Sequence, residues 1–136
     1  MLQKIICIDD DPIALLLSKL VISKSNFASK IVTLANGLEG INYLEKEETI
    51  AANKASGHPL LILLDLNMPV MDGWEFLEQF SKRLHKQYPD VKIILLSSSI
   101  DPNDIRKSKQ FEMVLDFFPK PLTREMMDTI LKRISA

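Results

Sequence analysis

The sequence predicts an α/β fold built on one parallel sheet of five strands. Short apolar runs alternate five times with longer segments in which apolar residues recur at helical spacing. The clearest of these runs are unbroken, as expected for strands that helices cover on both faces. The 136 residues are enough for one ordinary domain with a substantial core.

The strands are predicted at residues 4–8, 30–35, 60–64, 91–96 and 114–118. Four of them end at groups that are suited to chemistry. The first stops at Asp9 and Asp10, and the third stops at Asp65. The fourth stops at Ser97, and the fifth leads through a proline to Lys120. In chain order, the four strand ends therefore carry an acid pair, a single acid, a hydroxyl and an amine.

The helices are predicted to run from residue 12 onward, from 37 towards 49, over 73–87, briefly from 102, and over 123–134. Two of these starts, Asp11-Pro12 and Asp101-Pro102, pair an N-cap aspartate with a proline at the first helical position. The first helix carries apolar residues at 13, 16, 17, 20 and 21, which is helical spacing. The charged and polar segment 45–58 has no such pattern, so we expect a helix extension followed by a solvated loop.

The strand ends have a chemical consequence if the strands are parallel neighbours. In open α/β sheets, ligands gather at the carboxyl ends of the strands, so these side chains would converge on one edge. Three carboxylates placed together repel one another unless a cation joins them, and carboxylate and carbonyl oxygens are preferred ligands of Mg²⁺. A lysine and a hydroxyl beside a metal-bound carboxylate suit the oxygens of a phosphoryl group.

These residues resemble the receiver domain of two-component response regulators. The likeness comprises Asp9-Asp10 after the first strand, the segment 65–73 (Asp-Leu-Asn-Met-Pro-Val-Met-Asp-Gly), Ser97, and Lys120-Pro121. The resemblance covers nearly the whole chain and implies one receiver domain over residues 1–136. It also implies a flavodoxin-like fold with strand order 2-1-3-4-5, doubly wound with five helices.

The resemblance implies a role for each matching residue. Asp65 would accept a phosphoryl group from a sensor histidine kinase or a phosphotransfer protein. Asp9, Asp10, Asp65 and the backbone carbonyl of Asn67 would hold Mg²⁺. Ser97 and Lys120 would contact the phosphoryl oxygens. The protein would therefore be a signalling switch in a phosphorelay rather than an enzyme, beyond its own phosphorylation and slow dephosphorylation.

The resemblance also predicts how the switch is read. Phe117 lies three residues before Lys120, where an aromatic ring follows the movement of the Ser97 hydroxyl; a plain core phenylalanine is the alternative. The output face would be the fourth helix, fifth strand and fifth helix, residues 103–134. A downstream protein would bind there, and the candidate contacts are Ile105, Arg106, Lys109 and Arg124.

Composition narrows the possible functions. The net charge of −1 gives no field for nucleic acid, so we expect no direct DNA binding. The single cysteine, Cys7, lies in an apolar strand and is expected to be buried and unreactive. No signal peptide or membrane-length apolar stretch occurs, which predicts a cytoplasmic protein with no membrane insertion. The receiver fold would use the whole chain, leaving no output domain, although an excised domain of a longer protein fits equally.

Two other function classes remain open at this point. A pseudo-receiver would bind partners without phosphate chemistry, and Lys120 would then form only a structural salt bridge. A phosphatase of the haloacid dehalogenase type would use Asp9 as nucleophile and Asp11 as acid, but Ile13 stands where that motif expects threonine or valine. The three classes differ in which aspartate is phosphorylated: Asp65, none, or Asp9.

Overall fold

The computed structural model describes residues 2–24 and 28–135, so Met1, residues 25–27 and Ala136 of the predicted domain lie outside the described residues. The strands are β1 (Leu2–Ile8), β2 (Ala28–Leu34), β3 (Leu61–Asp65), β4 (Lys92–Ser97) and β5 (Val114–Pro119). All neighbouring strands are parallel, and their order is β2-β1-β3-β4-β5. The predicted strand order is therefore confirmed.

The described ranges contain six α-helices, one more than predicted. They are α1 (Pro12–Lys24), α2 (Gly37–Glu45), α3 (Glu47–Ser56), α4 (Gly73–Arg83), α5 (Pro102–Ser108) and α6 (Arg124–Ser135). The predicted third helix ends at Arg83, and a separate 3₁₀ turn, His85–Gln87, follows it. The expected helical extension is present as the separate helix α3, and the expected loop is limited to residues 57–60.

The additional helix α3 has a local explanation. Lys46 takes an extended conformation (ψ 135°), which ends α2 and starts α3 as a separate element. Gly57 ends α3 in the left-handed region (φ 69°), where a glycine is favoured. Thr49 is the one residue of α3 that is buried, so this helix has no apolar stripe for a sequence pattern to reveal.

The core lies on both faces of the sheet. On one face, Ile62 and Leu64 of β3 pack in a cluster with Phe76 and Phe80 of α4. On the other face, Leu61 and Leu63 belong to a second cluster with buried residues of α1 and α6. Every residue of β3 is buried, which confirms the interpretation of its unbroken apolar run. The strand therefore holds Asp65 at its end on a rigid backbone.

Helix α1 is present as predicted, but most of its apolar residues face outward. Ile13, Leu16, Leu17 and Leu20 are 66%, 57%, 45% and 47% exposed, and Ile22 is the buried residue of the helix. The residues therefore mark a helix without forming its buried face. Over the described ranges, no helix is long and apolar enough to cross a membrane, and the cytoplasmic location stays a prediction.

Candidate functional site

Neighbouring strands bring the three predicted acids together. Asp9 and Asp10 follow β1, Asp65 ends β3, and these strands pair in register up to Ile8 and Leu64. One carboxylate oxygen from each acid lies within 4.8 Å of the other two. Asp9 and Asp65 are buried, whereas Asp10 is exposed. The chain thus forms an acidic cluster that has the oxygen ligands and spacing to bind a metal ion.

Lys120 directly follows the edge strand β5, and its side chain reaches the acidic cluster. Its Nζ lies 2.6 Å from Asp9 Oδ2 and 3.2 Å from Asp65 Oδ1. Its backbone N–H donates to the Ser97 carbonyl at 2.9 Å, which fixes the start of the side chain against β4. The Lys120-Pro121 peptide is cis. One ammonium group therefore contacts both buried acids of the cluster.

The electrostatics of the site are set by burial and by the excess of acids. Burial raises the pKa of Asp65 to about 6, and the charge of Asp9 adds to this, while Lys120 and the backbone amide of Asn67 act in the opposite direction. Burial alone would lower the pKa of Lys120, but hydrogen bonding to Asp9 and the charges of both acids raise it overall. The ammonium is therefore held charged, yet it neutralises only part of the acid cluster. A divalent cation fits the remaining negative charge.

Asp9 is also held from the side of the first helix. The Asp11 backbone N–H donates to Asp9 Oδ1 at 3.0 Å, opposite the oxygen that contacts Lys120. The Asp11 side chain accepts the N–H of Ile13 at 2.9 Å, so its predicted role as a helix N-cap is confirmed. Both oxygens of Asp9 thus have a donor, which fixes the carboxylate beside Asp65.

The loop that follows Asp65 is held close to the end of β3 at the point where it enters α4. The Gly73 N–H donates to the Leu66 carbonyl at 2.9 Å, and a Cβ at position 73 would lie 2.7 Å from the carbonyl oxygen of Asp65. Only glycine permits this close approach of α4 to the end of β3. Asp72 caps α4 by accepting the Glu75 N–H at 2.9 Å, which is the turn and cap chemistry expected of an aspartate before a glycine.

The middle of the same loop is strained. Val70 has φ 71°, and the N–H of Met71 donates to the Pro69 carbonyl at 2.9 Å across it. A hydrogen bond that spans one residue of positive φ has the form of the rare, strained γ-turn. Val70 is also 73% exposed although it is apolar. No pattern in the sequence around Val70 indicates this strain.

The predicted switch residues lie on neighbouring strands, with Ser97 at the end of β4 and Phe117 within β5. Ser97 is buried, and its hydroxyl donates to the Ser99 carbonyl at 2.7 Å. Phe117 is half-buried and packs against the core cluster that contains Phe76 and Phe80. The predicted output contacts are all exposed to solvent: Ile105, Arg106, Lys109 and Arg124.

An apolar cavity opens beside the site, and the sequence does not predict this opening, which is called the mouth below. A cavity of about 220 Å³ opens next to Asp9 and Lys120 and is lined on its other side by Ile13 and Leu17 of α1. The exposed apolar residues of α1 therefore border the acid cluster. Their spacing in the sequence signals a helix, but nothing in that spacing indicates that this face is open.

This sheet topology, with acids at the ends of β1 and β3 and a lysine after β5, defines a receiver-type site. A sequence model of the family described as "Response regulator receiver domain" matches residues 5–132. The chain therefore belongs to the response regulator receiver family, as the resemblance predicted.

Individual relatives agree with this assignment. The chain is 29% identical over 130 residues to a probable C4-dicarboxylate response regulator, DctR, of Halalkalibacterium halodurans; the match covers 96% of the chain and 50% of the relative. It is 29% identical to sporulation initiation phosphotransferase F of Bacillus subtilis, covering 96% of the chain and 92% of the relative. A two-component response regulator from Cytophaga hutchinsonii has the same fold, with a TM-score of 0.86, 28% identity, and coverage of 98% and 97%. The chain thus spans about half the length of DctR.

Proposed function

We propose that this chain is a phosphorylation-dependent signalling switch. Asp65 accepts a phosphoryl group from a sensor histidine kinase or a phosphotransfer protein, in a reaction that requires Mg²⁺, and the modified chain binds its partner differently. The observation that carries this proposal is the position of the Asp65 carboxylate. It ends a buried strand, lies beside two further carboxylates, and is 3.2 Å from a lysine ammonium.

The residues of the site have distinct tasks in this reaction. A carboxylate oxygen of Asp65 attacks phosphorus, and the bond from phosphorus to the donor breaks as the new one forms. With a pKa of about 6, Asp65 is mostly ionised and hence nucleophilic at neutral pH. Lys120 is already held beside it and can transfer its ammonium contact to a phosphoryl oxygen.

The acidic cluster supplies the proposed metal site. Asp9, Asp10 and Asp65 offer carboxylate oxygens, and the backbone carbonyl of Asn67 is proposed as a further ligand. Mg²⁺, when bound there, would neutralise the negative charge that gathers between the acceptor and the incoming phosphoryl group. The exposure of Asp10 leaves this side of the cluster open to solvent, so an ion can enter without rearrangement of the core.

The donor is proposed to dock over α1. Phosphorus must reach Asp65 from outside, so the donor surface must cover the mouth beside Asp9 and Lys120. Ile13 and Leu17 line that mouth and are more than 40% exposed. A donor with an apolar surface around its phosphorylated side chain would bury them against itself. The apolar part of the contact would then align the donor with the acceptor.

The output surface is proposed to be α5, β5 and α6, the predicted face of residues 103–134. Ser97 would give up its hydrogen bond to Ser99 in order to donate to a phosphoryl oxygen, and the Phe117 ring would move with it. The two states should then differ in partner affinity by about 1–3 kcal/mol, a typical coupling free energy. Ser97→Ala should keep phosphorylation of Asp65 but lose the response of residues 103–134 in amide exchange. A full response in that variant would refute this route.

The proposed reaction is tested with a small donor. Wild type incubated with acetyl phosphate and Mg²⁺ should gain the mass of one phosphoryl group. Asp65→Asn should not gain it, because an amide is a poor nucleophile. Asp72→Asn is a matched control, since it changes a carboxylate of the same loop and keeps a good helix N-cap. It should be modified like wild type; phosphorylation that survives in Asp65→Asn would contradict the proposal.

A further inference from the structure

Trp74 lies at the junction between the acceptor loop and the rest of the molecule. It is in the first turn of α4, directly after Gly73. Gly73 is in turn so close to Asp65 that a Cβ there would lie 2.7 Å from the acceptor's carbonyl oxygen. A displacement of the Asp65 backbone or of the loop after it therefore reaches the base of Trp74 through one tightly packed residue.

The indole of Trp74 contacts two residues of the opposite segment. Its ring stacks on that of Phe111, with centroids 6.4 Å apart and planes inclined by 28°. The Lys107 ammonium lies 4.6 Å from the centroid of the same indole. Lys107 belongs to α5, and Phe111 lies between α5 and β5. Within the described ranges Lys107 makes no salt bridge, so the indole face is the contact that orients its charge.

We propose that Trp74 is a positioning residue that couples the acceptor loop to α5 through Lys107 and Phe111. This route is separate from the one through Ser97 and Phe117, since it leaves the site along α4 and not along β4. It rests on the proposed function, because the loop must first change when Asp65 is modified. A cation–π contact at a partly exposed site corresponds to a roughly two- to fivefold change in an equilibrium constant. Coupling of this kind is reciprocal, so a change at α5 must alter ligand affinity at Asp65 by the same factor.

The test removes the cation and keeps the indole. Lys107→Gln abolishes the charge over the ring. Lys82→Gln is the matched control, because Lys82 is an exposed lysine of α4 that lies outside the proposed output surface. The probe is beryllofluoride with Mg²⁺, a mimic of the phosphoryl group. Amide NMR shifts report the loop at 66–72 and α5 at 102–108, and the emission of the single tryptophan reports Trp74.

The expected result is specific to Lys107. In wild type and Lys82→Gln the mimic should shift both segments and change the indole emission. In Lys107→Gln the loop should still respond, the α5 shifts should shrink, and the midpoint of the beryllofluoride titration should move two- to fivefold. Trp74→Phe retains an aromatic face and should keep most of the α5 response, whereas Trp74→Leu should lose it.

Three results would overturn the proposal, and they are distinguishable. A loop response in every variant, with α5 shifts and midpoint unchanged by Lys107→Gln, would overturn the coupling through Trp74 alone. A wild-type loop that does not respond to the mimic would overturn the proposed function and, with it, this inference. Loss of the α5 response in Lys82→Gln as well would show a general effect of charge, and would also overturn the proposal.

Discussion

The ionised carboxylate of Asp65 should destabilise the folded chain at neutral pH, and replacing it by asparagine should relieve this. Asp65 is 5% exposed and lies beside Asp9, so its charge is poorly solvated and repelled by a neighbour. Asparagine is nearly the same shape but uncharged. In metal-free buffer, Asp65→Asn should therefore be more stable than wild type, although it removes the reactive group.

The magnitude follows from the pKa of this carboxyl. A rise from 3.8 to about 6 at 1.36 kcal/mol per pH unit corresponds to about 3 kcal/mol. This figure already includes the favourable 3.2 Å contact with Lys120, which lowers the pKa of Asp65 and which the variant loses. The lysine keeps its 2.6 Å contact with Asp9, so we expect a net gain of about 1–3 kcal/mol.

The pH dependence has a definite sign. Below pH 3.8, Asp65 is protonated in both the folded and the unfolded chain, so it contributes no difference between wild type and variant. As the pH rises from about 4 through 6, the unfolded chain ionises first and wild type loses stability relative to the variant. Above this window the difference stays constant.

The assay is urea unfolding of wild type and Asp65→Asn at several pH values between about 4 and 8, without divalent cations. Asp72→Asn serves as the control, because asparagine also caps a helix well and the difference from wild type should be small at every pH. The reasoning would be refuted by an Asp65→Asn variant no more stable than wild type at pH 8. It would equally be refuted by a stability difference that did not narrow towards pH 4.

Three further predictions follow from the same site. Millimolar Mg²⁺ should raise the melting temperature of wild type by mass action, and Asp10→Ala should remove this increase; a melting temperature indifferent to Mg²⁺ would count against the metal site. Val70→Gly should raise the free energy of unfolding, measured in urea, by about 1 kcal/mol. Glycine adopts the positive φ of this position without strain, and this gain exceeds the extra conformational entropy that glycine gives to the unfolded chain. A variant less stable than wild type would disprove the strain. Lys120→Arg should retain some phosphorylation by acetyl phosphate but lose the partner response, because the guanidinium differs from the ammonium in shape and donor geometry. Wild-type signalling by both Lys120→Arg and Lys120→Ala would exclude a role for the lysine.

Much of the site could be predicted because its residues stand at the ends of apolar strands. The run that ends at Asp65 can only be a strand covered on both faces, and the parallel topology then brings Asp9 and Lys120 to the same edge. The helix cap at Asp72 is equally predictable, because an aspartate before a glycine is typical of turns and helix starts. In each case a local pattern and the global fold impose the same position.

The remaining features depend on contacts between segments that no local pattern encodes. Helix α3 is mostly polar and exposed, so its sequence resembles that of a loop. Lys46 and Gly57 nevertheless delimit a helix. The residues of α1 have helical spacing, but spacing does not reveal whether another element covers them. The contact of Trp74 with Lys107 joins positions far apart in the chain, and a tryptophan in an amphipathic helix is by itself typical of core packing.

The central claim is that Asp65 is the phosphoacceptor, and mapping the phosphorylated residue tests it most directly. Wild type is treated with acetyl phosphate and Mg²⁺, digested, and its phosphopeptide sequenced by mass spectrometry. We predict one phosphoryl group, on Asp65. Modification of Asp9 would instead indicate the phosphatase class, and an unmodified chain would indicate a pseudo-receiver; either result would contradict the proposed function.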